Sequence, residues 1–239
     1  MLSLFSHPHV AAVHDLVTQG GHDYLIMELV PGAALRDVLG GGPLPPSEVL
    51  RLGAQLARGL AAAHAANVVH CDIKPTNIKV ASCGELKILD FGLARLLPAG
   101  AILDNASATD SGDAIGGTVP YMSPEQLRGE RTDHRTDIFS AGAVLYEMAT
   151  GCPAFPQRSL GSLVDAVQHA DPPAPSTINP FIPLALEEVI VTAMQKDPAV
   201  RQQHALDLAA SLDALTASGR RAGAPVRPPA WGSLVRAGG

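Results

Sequence analysis

Apolar side chains fall first into two short runs, residues 10–18 and 23–30, separated by TQGG. Runs of this length around a glycine turn predict two antiparallel strands. LVPG then breaks the pattern, ALRDVL reads as a short helix, and GGGPLPP (40–46) reads as a connector. From Ser47 to about Ala66, Val49, Leu52, Leu56, Leu60 and Ala63 recur near helical period, which predicts a long amphipathic helix. IKVA and LKIL flank SCGE and predict a second hairpin. Residues 98–117 are rich in Gly, Asp, Ser and Ala without period, the composition of a functional or disordered loop. Beyond residue 124 the spacing predicts helices at 136–150, 160–169, 184–195 and 204–217. Residues 219–239, rich in Arg, Pro and Gly, read as a flexible tail. No internal repeat interrupts this order. The expected fold is α+β, a small β portion leading into a mostly helical body.

Composition narrows the class. With 46% hydrophobic and 17% charged residues, the 239-residue chain is globular in character. The net charge of −6 argues against a general nucleic-acid binder. The tail carries Arg220, Arg221, Arg227 and Arg236 with no acid, so the preceding residues are more acidic still. Cys71, Cys83 and Cys152 form no CxxC pair, and three is an odd count, which favours a reducing, cytoplasmic setting. No apolar run approaches the length of a membrane span, and MLSLFSHPHV lacks the basic start of a secretory signal. No set of the nine histidines has convincing metal-ligand spacing.

The candidate chemistry lies in HCDIKPTN (70–77). Phosphoryl transfer to a hydroxyl needs a carboxylate to take the hydroxyl proton, oxygen ligands for Mg²⁺, and a cation to offset developing charge. Asp72, Asn77 and Lys74 supply these in that order, although a polar loop after a long helix would also fit the spacing. ILDFGLAR (88–95) adds Asp90 as a second metal ligand, Phe91 as an inward-packing side chain, and Gly92 as a point of backbone freedom. The predicted hairpin between Asn77 and Asp90 brings their oxygens towards one place. GTVPYMSPE (117–125) closes the long loop.

In this order the segments resemble the eukaryotic-type protein kinase family: catalytic loop, metal-binding Asp-Phe-Gly, activation segment, Ser-Pro-Glu. HPHV (7–10) resembles the entry to the family's fourth strand, and MELVPGAAL (27–35) its hinge. The resemblance covers residues 1 to about 217. It implies a kinase-like fold with residues 1–30 as part of the small lobe, 31–218 as the helical large lobe, and the tail outside. It implies ATP and Mg²⁺ as cofactors, with Met27 (the gatekeeper position), Glu28 and Val30 at the adenine site beside Lys74, Asn77 and Asp90. It implies a protein substrate with a Ser or Thr acceptor, held near Thr118 and Glu125. Structural roles are implied for His70 (packing on Phe91), for Asp137 (anchoring the catalytic-loop backbone) and for Arg201 (pairing with Glu125). Lys74 and Thr118 follow the serine/threonine pattern, and the Ala-rich style is similar to bacterial members. Small-molecule phosphotransferases keep a similar loop but lack the GTVPYMSPE segment.

Two departures stand out. The first lysine of the sequence is Lys74, and no G-x-G-x-x-G occurs, so the strand-three Lys and the Gly-rich loop of the family are not among these residues. The expectation is a chain beginning just before the fourth strand. Its start codon is misplaced or it is truncated, with impaired transfer or a non-catalytic, partner-binding role in which a partner completes the small lobe. Second, Cys71 stands where most relatives have Arg. A thiol cannot pair with a loop phosphate, so the loop is expected not to be switched through this contact. Ser107, Thr109 and Ser111 are then hydroxyls of a solvated loop, with regulatory phosphorylation as the alternative. Cys71 itself is expected to be a small buried filler.

Overall fold

The structure, a computed structural model, describes residues 6–90 and 117–221. Phe91, Gly92, Ser107, Thr109 and Ser111 lie outside the described residues. Strands β1 (Val13–Gln19) and β2 (His22–Met27) form an antiparallel hairpin around Gly20 and Gly21, both at positive φ. Leu16, Val17, Tyr24 and Ile26 are all exposed on it. Among the described residues this is a sheet of two strands only, so no second layer covers either face.

The chain then enters the body. The dipeptide strand β3 (Ala33–Ala34) pairs with β4 (Ile78–Val80), which pairs with β5 (Leu86–Ile88), making a three-stranded antiparallel sheet. The sequence pattern shows the β4–β5 hairpin but not β3, since two alanines carry no strand period. Gly32 makes the pairing possible. Its φ is +125°, and a Cβ there would lie 2.3 Å from the Val80 carbonyl oxygen. Helix α1 (Leu35–Leu39) follows, and Gly40–Gly42 join it to α2 (Pro46–Ala65), as the connector reading expects.

Helix α2 begins with proline in its first turn, where a missing N–H costs nothing. Its stripe of Val49, Leu52, Leu56, Leu60 and Ala63 is fully buried. It packs on α4 (His134–Thr150), which follows α3 (Pro124–Leu127), and on α8 (Ala205–Arg221). Helix α4 buries 14 of its 17 residues, so it is the central rod of the body rather than an amphipathic surface helix. Asp133 caps its N-terminus by accepting from the Arg135 N–H, and Gly151 ends it at φ 77°. Helix α5 (Leu160–His169) packs on α3, while α6 (Pro175–Ile178) and α7 (Leu184–Ala193) pack on this rod. No helix among the described residues is long and apolar enough to cross a membrane.

Candidate active site

The site is built on the loop leaving α2. Helix α2 stops at Ala66, and Asn67 turns the chain at φ 57°. The loop then runs over the N-terminal turn of α4, where Asp137 is fully buried. Its Oδ2 accepts from the His70 N–H at 2.8 Å and its Oδ1 from the Cys71 N–H at 2.8 Å. The Nε2–H of His64, on the last turn of α2, also donates to Oδ2 at 2.8 Å. A buried carboxylate is costly unless hydrogen-bonded, and three donors here meet that demand. Asp137 thus ties α2, the loop and α4 together.

His70 continues the chain of contacts. It is fully buried, and its Nε2–H donates to the Leu89 carbonyl at 2.8 Å. Its Nδ1 is therefore an acceptor, and the Asp72 N–H meets it at 3.2 Å. The ring bridges the loop to the residue preceding Asp90. Phe91, its implied packing partner, lies outside the described residues.

The polar cluster forms around Asp72. Lys74 Nζ lies 2.9 Å from Asp72 Oδ2 and donates to Thr118 Oγ1 at 2.8 Å. Asn77 Nδ2 donates to both the carbonyl and the Oδ2 of Asp72, each at 2.9 Å. Asp72 Oδ1 is buried and has no hydrogen-bond partner among the described residues. A buried acceptor with nothing bound to it is expensive in a structural carboxylate. In Asp72 it is an acceptor that the described residues leave unspent.

Asn77 and Asp90 meet through the sheet. The Leu89 N–H donates to the Asn77 carbonyl at 2.8 Å, which sets Asp90 next to the loop. With both donor contacts of Asn77 Nδ2 spent on Asp72, its amide oxygen faces away from that carboxylate. An amide oxygen and the Asp90 carboxylate are hard donors of the kind Mg²⁺ prefers. Asp90 also holds φ 58°, an uncommon conformation for a non-glycine residue.

At the hinge, Met27 ends β2 opposite Val13. The Glu28 N–H donates to the Ala12 carbonyl at 2.8 Å. Its carboxylate takes Lys87 Nζ at 2.7 Å and the Ala12 N–H at 3.1 Å. The Lys87 hydrogen bond holds that carboxyl below its ordinary pKa. Val30 is buried, and its carbonyl accepts from Lys79 Nζ at 3.0 Å. Side-chain chemistry at Glu28 is thus committed to the fold, and a ligand here would meet backbone.

The segment after the long loop is fixed as firmly. Thr118 precedes a short 3₁₀ turn (Val119–Tyr121), and Ser123 caps α3. Glu125 and Arg201 are both buried and pair in two parallel bonds of 2.7 and 2.8 Å. Thr136 Oγ1 donates to Glu125 Oε1 at 2.8 Å. Burial pushes the Glu125 carboxyl up, but the Arg201 bonds and charge outweigh it and leave the pKa below its ordinary value.

Cys71 differs from its expected role. It is half-exposed rather than buried, and it sits at φ 63°. Its peptide is gripped at both ends, by Asp137 at the N–H and by Gln126 Nε2 at the carbonyl, 2.8 Å away. Sequence reading passed over His64 and Gln126. A faint signal existed for the second: Ser-x-x-Gln at 123–126 is a capping-box pattern.

Comparison with known proteins places this geometry. The profile of the protein kinase domain family matches residues 1–209. A probable serine/threonine-protein kinase of Corynebacterium efficiens is 39% identical over 237 residues, 94% of this chain and 35% of that protein. Serine/threonine-protein kinase PknB of Mycobacterium leprae is 38% identical over 214 residues, 87% of this chain and 33% of that protein. Serine/threonine-protein kinase PknL of Mycobacterium tuberculosis is 38% identical over 207 residues, 86% and 50% of the two chains. The chain thus spans about a third to a half of the length of these relatives. A catalytic-type loop hung on a buried aspartate, a Glu–Arg pair under the following segment, and a family profile over most of the sequence agree, and the chain belongs to the protein kinase domain family, on the side of its bacterial serine/threonine members.

Proposed function

We propose that this chain is the catalytic region of an ATP-dependent protein serine/threonine kinase working in the cytoplasm. The observation that carries this is Asp72: one carboxylate oxygen is held by Lys74 and Asn77, and the other has no hydrogen-bond partner among the described residues. The Asp72 carboxylate takes the proton of a substrate Ser or Thr hydroxyl as its oxygen attacks the γ-phosphorus of ATP. Lys74, between Asp72 and Thr118, offers a cation to the transferred phosphoryl group. Asn77 and Asp90 would hold Mg²⁺, which neutralises phosphate charge when bound. The backbone of Met27, Glu28 and Val30 would face the adenine. The Thr118–Glu125 segment, fastened by Arg201, presents the peptide substrate.

Taken alone, these 239 residues grip ATP through the large-lobe groups only, because no lysine precedes Lys74. They should bind ATP–Mg²⁺ weakly and transfer slowly. The exposed hairpin favours a second reading, a partner-binding module whose small lobe another polypeptide completes. Radiolabel transfer from ATP to Ser/Thr substrates, compared between wild type and Asp72→Asn, separates the two. The kinase reading expects a loss of about 10²-fold or more. Equal transfer by both proteins would remove Asp72 from the chemistry. Transfer at ordinary kinase rates by the 239 residues alone would refute the impairment.

A further inference from the structure

We propose that Gln126 is a positioning residue for Asp72, acting through the peptide bond between Cys71 and Asp72. That peptide is held on both sides. Its carbonyl accepts from Gln126 Nε2 at 2.8 Å, and its N–H donates to His70 Nδ1 at 3.2 Å. The preceding N–H, that of Cys71, is fixed by Asp137. Cys71 adopts φ 63°, which a non-glycine residue keeps only where its surroundings over-determine it. Removing the Gln126 bond leaves the carbonyl side of the turn without that restraint, and the plane that aims the Asp72 carboxylate can rotate.

The other end of Gln126 gives this contact its meaning. Its Oε1 accepts from the Ser123 N–H at 2.9 Å, and the Ser123 hydroxyl accepts from the Gln126 N–H at 3.3 Å. One side chain therefore joins α3, next to Glu125, to the catalytic loop. The link is neutral and permanent, and it needs no phosphate. At the position where an arginine would couple the loop to a phosphorylated segment, this chain has a thiol and a backbone carbonyl held by an amide. Substrate segment and proton acceptor are coupled constitutively.

The chemistry of glutamine supplies the test. Gln126→Glu keeps an acceptor for the Ser123 N–H and so keeps the cap. As a carboxylate it cannot donate to the Cys71 carbonyl; protonated, it can. Transfer by the 239-residue chain should fall roughly tenfold in kcat for Gln126→Glu at pH about 8, with KM for ATP changed less than about twofold. The ratio of variant to wild-type rate should climb as pH falls to about 5.5, towards recovery. Gln126→Ala should show the same loss with no pH recovery. A second measurement does not depend on the kinase reading, on which the catalytic readout rests. Hydrogen exchange of residues 68–74 should quicken about fivefold or more in Gln126→Ala, with α4 unchanged. Unchanged exchange in that loop overturns the proposal. So does a pH-independent loss in Gln126→Glu that tracks a fall in melting temperature, since that marks a purely structural cap. Faster loop exchange together with no transfer by the wild type sinks the kinase reading and leaves the positioning role standing.

Discussion

The β1–β2 hairpin and the loop over Asp137 are both short, polar-edged pieces of chain, yet the fold treats them differently. The hairpin makes its backbone bonds within itself and exposes Leu16, Val17, Tyr24 and Ile26. The loop has almost no regular structure, and its backbone is bonded to a carboxylate and an amide from two different helices and to the ring of its own His70. A hairpin's order rests on local pairing, which by itself is marginal in water. The loop's order rests on tertiary contacts in a low-dielectric interior, where each unsatisfied partner is costly. Regular secondary structure is therefore a poor guide to which of these regions is rigid.

The sharpest way to break this contrast is Asp137→Ala. It strips acceptors from His70, Cys71 and His64 at once, and should destabilise by about 4–5 kcal/mol in urea denaturation. A loss below about 1 kcal/mol would mean that the loop is held by something else. Next comes Arg201→Ala, which strands the buried Glu125 carboxylate; about 3 kcal/mol is expected by the same measurement. Arg201→Lys should recover only part, because a single ammonium cannot make two parallel bonds.

A smaller effect comes from pH. The Glu125 carboxyl is depressed in the folded state, so the unfolded chain takes up that proton first as the solution is acidified. Its stabilisation is complete above the ordinary value of 4.5 and fades as pH drops below it, through the depressed folded value. Denaturation midpoints measured from pH about 6 to about 3 should fall more steeply in wild type than in Glu125→Gln. Matching slopes would exclude Glu125. Glu147 runs the other way. Burial raises its carboxyl, although the Tyr121 hydroxyl partly opposes this. It therefore costs stability above its raised value, and that cost is relieved as pH falls. The smallest effect belongs to the hairpin: Leu16→Ala or Tyr24→Ala should stay within about 0.5 kcal/mol, since exposed side chains lose little. A loss of 2 kcal/mol there would reveal a covering layer on the hairpin.

Much of this was legible in the residues. The stripe along α2 (Val49 to Ala63) and the hairpin around SCGE follow from periodicity, because burial of one face imposes it on any helix or strand. The order of Asp72, Lys74, Asn77 and Asp90 carried the chemistry, since few side chains suit proton acceptance and hard-metal binding. β3 escaped, because two alanines carry no strand period. The commitment of Glu28 to Lys87 escaped too, because the partners are 59 residues apart.

The sequence by itself determined most of the element types, the family and the residue types proposed for its chemistry. Those depend on local period and on functional-group chemistry, both of which are written in the chain. Only the tertiary structure decided which atom of each residue is engaged. It placed Asp137 under two backbone N–H groups, left one oxygen of Asp72 without a partner among the described residues, and set Gln126 against the Cys71 carbonyl. Hydrogen bonds between distant segments have no period, and the backbone that makes half of them is the same at every residue. Their partners are chosen only when the helices pack.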